Sequence, residues 1–372
     1  MLFQKVAGKR TTTSMVSPSA PKQLWAWGNN SSGKLGLGDS VYRSSPVQIG
    51  ALTTWQSTSG GLTHNIALKT DGTIWSFGSN SHGQLGLGDT YNRSVPVQVG
   101  ALATWSVCTA GRNHNFAIKT DGTLWALGYN LHGYLGLGDT NKRSSPVQVG
   151  TLATWSKISS ETGSLAIKTD GTLWSWGRNA GGVLGHSDSI ARSSPVQVGT
   201  LATWATASSS YSQSLAIKTN GTLWAWGKNA YGTLGQGDTV YRSSPVQVGT
   251  LATWSAVAAS SVGASFALKT DGTLWVWGKS ANGYLGLGDT DRRSSPVQLG
   301  TLNTWSAIST VDSSSVALKT DATLWAWGRN LAGATGLGDE ISRSSPVQIG
   351  TLALWRGVGG GPIAKAALAL RG

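Results

Sequence analysis

The 372-residue sequence has one cysteine, two methionines, four phenylalanines and only 12% charged residues. A single thiol, Cys108, cannot close an intrachain disulfide, which excludes a small disulfide-stapled scaffold. Sparse charge together with 19 tryptophans is the reverse of the charge-rich, aromatic-poor composition of disordered chains. No apolar run approaches the roughly 18 residues of a membrane-spanning helix. The opening MLFQKVAGKRTTTSMVSPSAPK lacks the apolar core of a signal peptide, and residues 1–23 are expected to form a polar arm.

Variation in spacing is missing too. LWAWGNNSSGKLGLGDSVYRSSPVQIG at 24–50 returns almost verbatim down the chain. Its first tryptophan recurs as Trp25, Trp75, Trp125, Trp174, Trp224, Trp275 and Trp325, in steps of 49 to 51 residues. A period near fifty built of short β-forming runs predicts propeller blades of four strands each. The runs are of the types TWSVCTAG, HNFAIKT, TLWALG and SSPVQVG. Between the second and third stands Asp-Gly, as in Asp71-Gly72, with Asn220-Gly221 once and Asp321-Ala322 once. Asp-Gly predicts a type I′ hairpin turn, and alanine at a positive φ predicts a distorted turn at Ala322.

Side chains two apart on a strand share a face, so Trp25 and Trp27 are predicted to fill the wedge against a neighbouring blade. The glycines that follow supply positive φ and close backbone approach in a long connection. The repeat begins with its third and fourth runs, at 24–49, and finishes with its first and second, at 355–370. Together these complete one blade. The expected fold is therefore all-β, a seven-bladed propeller over 24–372 closed by pairing N-terminal with C-terminal strands, which removes exposed sheet edges. Deletion of 355–372 is expected to unfold or oligomerise it.

The phrases WGxNxxGxLGLGD, RSSPVQVG and HNIALKTDG resemble the regulator of chromosome condensation family over about residues 24–372. The resemblance implies a seven-bladed propeller. It implies no single activity, because the family spans a nucleotide exchange factor for a small nuclear GTPase, ubiquitin-ligase modules and a secreted β-lactamase inhibitor; fold does not fix function. The family's histidine before the AL run is kept as His64 and His114, with Ser164, Ser214, Ser265 and Ser315 read at comparable places. No unit carries an insertion like the exchange factor's wedge. The near-identity of the copies resembles bacterial and phage members.

The glycine-rich GKLGLGDS at 33–40 lacks the following helix that a phosphate-cradling loop needs, so it reads as structural. Asp39 and Arg43, repeated in every unit, read as a loop brace. Lys69, Lys119, Lys168, Lys218, Lys269 and Lys319 read as solvated charges beside the turns. These framework charges nearly cancel, so the net +13 resides at variable positions and in the arm. The residue after WG runs Asn29, Ser79, Tyr129, Arg178, Lys228, Lys279, Arg329, a basic arc over four consecutive blades. With Tyr129, these four cations are the partner-binding candidates, suited to an acidic protein surface.

A pI near 10 permits salt-sensitive contact with nucleic acid, but no recognition helix, zinc site or stacking platform accompanies it. Glu161, Asp291, Asp312 and Glu340 lie in different units and make no catalytic pair. Cys108 reads as core, and His64 with His114 make only two metal ligands, so no cofactor is expected. The expected function is a non-enzymatic protein-binding propeller, foremost a structural or decoration component of a phage particle, anchored through Leu2, Phe3 and Val6 of the arm. A soluble inhibitor or regulator is the alternative, and a GTPase exchange factor or chromatin-binding protein the second. A virion is the favoured location, otherwise the cytoplasm or export without a signal peptide.

Overall fold

A computed structural model describes residues 22–311, 313–361 and 364–372. It places twenty-eight strands in seven four-stranded antiparallel sheets. Blades are numbered here from the closing one. Blade 2 is typical: Trp55–Gly60, His64–Lys69, Ile74–Gly78 and Arg93–Gln98, paired in that order. The first strand of each blade packs against the first strands of its two neighbours, so it lines the axis. Blades 3 to 7 begin at Trp105, Trp155, Trp204, Trp254 and Trp305. Among the described residues, no helix is long and apolar enough to cross a membrane.

Closure is as the sequence predicts. In blade 1 the order is Arg43–Gln48, Gln23–Gly28, Ala366–Arg371, Trp355–Gly359, with Gln23 opposite Arg371 and Gly28 opposite Ala366. Lys22 already belongs to the ring. Its N–H donates to the Thr53 carbonyl and its carbonyl accepts from the Trp55 N–H, 3.2 Å, as the Gly72 carbonyl accepts from Trp105 elsewhere.

The hydrophobic core is divided into seven clusters, one at each blade–blade interface. Strand alternation explains it. On Gln23–Gly28, Leu24 and Ala26 face blade 2, while Trp25 and Trp27 face blade 7. Both faces are therefore buried, and the two tryptophans fill the wedge as expected. Trp355 meets both of them edge-on, at 6.1 and 6.2 Å. The first glycine of each LGLG phrase makes room for a large side chain of the next blade: a Cβ on Gly136, at φ +72, would lie 2.8 Å from Trp176 Nε1, and one on Gly86 would lie 2.7 Å from Leu127 Cδ1.

The hairpin turn differs from expectation. Only its glycine has positive φ, +81 at Gly72, while Asp71 does not. The Gly72 N–H donates to the Lys69 carbonyl, 3.1 Å, and Lys69 N–H to Thr73, 2.9 Å. This is a type I turn followed by a left-handed glycine, which turns a three-residue loop into a bulged hairpin. Asp71 earns its place through its carboxylate, which accepts from the Thr73 N–H and hydroxyl. Nor is the Ala322 turn distorted. Ala322 takes φ 67 and keeps the same bond to the Lys319 carbonyl, 3.1 Å. The strain is absorbed in the dihedral and not relieved by rearrangement.

Candidate functional site

The glycine of WG, preceded by Phe77 in blade 2 and Leu127 in blade 3, ends the third strand of each blade, and the next residue is fixed by one repeated bond. Its N–H donates to a carbonyl in the loop between the first two strands of the same blade: Ser79 to Thr63, Tyr129 to Asn113, Arg178 to Thr162, Lys228 to Ser212, Lys279 to Gly263, Arg329 to Ser313 and Asn29 to Lys365, at 2.7–3.2 Å. The seven variable residues therefore stand at equivalent places around one face. A rigid clip holds the loop beyond them. Asn30 Nδ2 donates to the Asp39 carbonyl and Oδ1, its Oδ1 accepts from Leu35 N–H, and Arg43 Nη2 pairs with Asp39 Oδ2 at 2.5 Å. The Asp–Arg brace recurs in all seven blades at 2.5–2.7 Å.

The arc is not a set of freely solvated cations. Arg178 Nη1 donates to the Tyr211 hydroxyl, 2.9 Å, and its guanidinium lies 4.9 Å from that ring. Lys228 approaches the same ring from the next blade at 5.5 Å, and Lys279 sits 5.0 Å from Tyr231. Arg329 is exposed. The half-buried Tyr129 leads a second cluster: His82 lies 4.5 Å away and Tyr134 6.0 Å, and Tyr134 stacks on His114 at 5.5 Å, with planes 9° apart.

Between these groups the axis opens into a cavity of about 580 Å³. Arg112, His114, Tyr129, Tyr134, Arg178 and Tyr211 line it, with Lys365 from the closing blade. Neighbouring loops are laced together around its rim, Leu62 N–H to the Arg112 carbonyl and Arg112 N–H to the Glu161 carbonyl, both 3.1 Å. The Glu161 side chain is fully buried, with Arg112 Nη1 3.8 Å from Oε1. Burial pushes its carboxyl up to about 7, against the pull of Arg112. Burial also drives His64 down to about 4 and His114 to about 3.

Six segments match the regulator of chromosome condensation (RCC1) repeat: 23–68, 71–118, 121–160, 170–217, 220–268 and 271–318. The chain belongs to the RCC1 repeat family. A second description of the same repeat matches 55–84. The fold is similar to Prp20p of Saccharomyces cerevisiae, at 19% identity and TM-score 0.83, covering 95% of this chain and 92% of that one. It is similar to human WBSCR16 at 20% identity and TM-score 0.83, covering 94% and 98%. A structure of Kap60 bound to yeast RCC1 (Prp20) gives 18% identity and TM-score 0.82, covering 100% and 96%. No curated protein matches.

Within this RCC1-repeat frame two sequence readings change. The residues equivalent to His64 and His114, all opposite the glycine that ends the third strand, are Gly163, Gln213, Ala264, Ser314 and Ala366. Ser164, Ser214, Ser265 and Ser315 correspond instead to Asn65 and Asn115, one residue on. The six framework lysines are not free solvated charges: Lys69, Lys168, Lys218 and Lys319 are buried, and Lys119 and Lys269 half-buried. Each ammonium lies 3.6–3.9 Å from the first indole of its own repeat and about 5 Å from a second, and Arg371 takes this place over Trp25 in blade 1. Such stacking keeps the alkyl stem dry while the quadrupole of the ring holds the charge.

The core reading of Cys108 stands. Cys108 is buried, and burial raises its thiol to about 12. His64 Nε2 meets Asn115 Oδ1 at 2.9 Å and His114 Nε2 meets Ser160 Oγ at 2.8 Å, so the two imidazoles serve different blade interfaces. Among the described residues, no three His, Cys, Asp or Glu gather as a metal site. In GKLGLGDS, Lys34 is buried and its ammonium faces the Leu62 carbonyl, away from any phosphate cradle. Asp312, Leu2, Phe3 and Val6 lie outside the described residues. Sequence does not single out Tyr211, Arg112 and Lys365, which sit in loops whose residues do not repeat, nor Tyr231, at a variable position of the repeated glycine-rich connection.

Proposed function

We propose that this chain is a non-enzymatic protein-binding propeller that docks an acidic surface of a partner on the face carrying Arg178, Lys228, Lys279, Arg329 and Tyr129. One observation carries the reading. Seven backbone-fixed positions share a face, the frame beneath them is nearly invariant from blade to blade, and the variation concentrates four cations in consecutive blades. A rigid frame with variable tips supplies a preorganised surface, and charge complementarity then selects the partner. Similar propellers support it: the yeast Prp20p structure is described with binding properties to Gsp1p and histones, and yeast RCC1 with Kap60.

The finer reading is a component of a large assembly such as a phage particle, held through the arm at Leu2, Phe3 and Val6. A soluble inhibitor or regulator would use the face alone. An exchange factor or chromatin-binding protein would share the theme of the similar structures, and accelerated release of labelled GDP from a small GTPase is its test. Affinity capture from the source organism tests the main proposal. Arg178→Glu, Lys228→Glu and Lys279→Glu together should abolish recovery of a salt-sensitive protein partner, and unchanged recovery overturns the acidic-docking reading. Deleting residues 1–21 should leave the propeller folded and remove it from the assembly; normal incorporation overturns the arm's role.

A further inference from the structure

The mouth of the central cavity carries chemistry that the outer arc does not. Loops of blades 2 to 6 and the closing blade converge there, bringing Leu62, Arg112, Thr162, Tyr211, Val262 and Lys365 to one rim. Arg112, Arg178 and Lys365 supply positive charge from separate blades. Arg112 is held from behind by the buried Glu161 carboxylate and remains 42% exposed in its side chain. Tyr129, Tyr134 and Tyr211 supply ring faces. Within the lining, His114 is 1% exposed and its Nδ1 has no hydrogen-bond partner. Buried polar atoms left unmatched in a cleft are what a ligand or ordered water would satisfy.

We propose that this mouth, which shares Arg178 and Tyr129 with the docking face, is a receptor pocket for an extended acidic peptide segment of the partner. Its carboxylates would bridge Arg112, Arg178 and Lys365 while its backbone lies against the three tyrosines. Size and shape favour this ligand. A lone tetrahedral anion is far smaller than a cavity of about 580 Å³. A nucleic-acid strand needs a continuous groove with stacking platforms, whereas these rings are gathered around one half-open mouth. Guanidinium–carboxylate pairing beside aromatic faces provides both charge and orientation.

This inference rests on the protein-binding reading and narrows it, so its test separates the mouth from the arc. The full chain is titrated against fluorescein-labelled hexaglutamate and followed by anisotropy. Saturable binding is expected, weakened about tenfold or more by Lys365→Gln or Tyr211→Ala and by Arg112→Gln. Lys279→Gln, in the outer arc, should change it less than about twofold. Lys365→Gln and Tyr211→Ala leave the Glu161 pairing intact, so they decide the matter if Arg112→Gln does not fold. Absence of saturable binding overturns the proposal. So does equal weakening by Lys279→Gln, or displacement by inorganic phosphate or oligothymidylate at concentrations equal to the peptide's. Loss of peptide binding with partner capture intact would sink the mouth pocket and leave the docking face standing.

Discussion

Trp226 donates its indole N–H to the Val183 carbonyl of the preceding blade at 2.8 Å, and Ser214, directly opposite Trp226 on the neighbouring strand, donates its hydroxyl to the same oxygen at 2.8 Å. The Thr233 carbonyl is met the same way by Trp277 and Ser265. Blades 2 and 3 solve the problem differently. Phe77 and Leu127 replace the tryptophan and have no N–H, and the residues opposite them are Asn65 and Asn115. These longer amides reach the Lys34 and Gln84 carbonyls at 2.5 and 2.6 Å.

The two positions should therefore be coupled. Asn65→Ser alone shortens the donor and strands a buried carbonyl, costing about 1–3 kcal/mol. Phe77→Trp combined with Asn65→Ser recreates the arrangement of blade 5 and should recover most of that loss. Urea unfolding of the two single variants and the double variant gives the coupling energy. A double variant no more stable than the sum of the singles would refute the exchange.

This pairing shows where the sequence was legible. Period, closure, wedge tryptophans and brace all repeat, and repetition separates a structural signal from chance. The Asn/Phe against Ser/Trp exchange was also written in the sequence. It was missed because His64 was aligned with Ser164 instead of Gly163, and a one-residue slip on a strand changes the face. The axial cavity was illegible for a different reason: it is made by loops contributed once each by separate blades, and no spacing announces such a convergence. The lysines misled because a charge ending a strand beside a polar turn ordinarily points into water.

Lys168 offers a direct measure of that misreading. Its ammonium lies 3.6 Å from the Trp174 ring centre and 5.0 Å from Trp155, and burial lowers its pKa. Lys168→Met keeps the stem and removes the charge, and should cost about 0.5–2 kcal/mol. Lys168→Arg should cost less, because Arg371 fills the equivalent place in blade 1. Chemical denaturation at low and high salt checks this; a loss that disappears in salt would point to a surface charge.

Ala322→Gly should raise stability by up to about 1 kcal/mol, since the left-handed dihedral at φ 67 is costly for alanine and free for glycine. Part of that gain is offset by the wider freedom of glycine in the unfolded chain. The reverse change in blade 6 should be harsher. A Cβ on Gly272 would lie 2.1 Å from the Asn303 carbonyl oxygen, so Gly272→Ala must displace backbone as well as strain φ. Thermal melts of the two variants should move in opposite directions.

Acid should destabilise the ring through its buried imidazoles. His64 and His114 are held at about 4 and about 3, below the roughly 6.5 of an unfolded histidine. The unfolded chain thus binds more protons in this range, so their contribution is complete above about 6.5 and is lost as pH falls toward those values. Glu161, raised to about 7, acts in the opposite sense: its contribution is present at low pH and lost as pH rises from about 4.5 to 7. Two imidazoles outweigh one carboxyl, so the urea midpoint should fall between pH 7.5 and pH 5. His114→Gln should flatten that fall, and Glu161→Gln should raise the midpoint at pH 7.5. A midpoint that rises on acidification would contradict the assignment.

The seam is the remaining place where one chain must do without a covalent turn. In blades 2 to 7 a turn joins the second and third strands, whereas in blade 1 Ala366–Arg371 and Gln23–Gly28 meet only by pairing. Arg371 lies 4.9 Å from the Trp25 ring across this seam, and the Gly372 N–H donates to the Leu354 carbonyl, 3.0 Å. Arg371→Ala should therefore cost only about 0.5–1 kcal/mol. Deleting 366–372 removes the strand between Gln23–Gly28 and Trp355–Gly359 and exposes two sheet edges together with the faces of Trp27 and Phe77. Such a chain should unfold at a much lower temperature or associate through the open edge, which size-exclusion chromatography and a thermal melt will distinguish. A truncated monomer melting like the intact chain would mean that the ring does not depend on its closing strand.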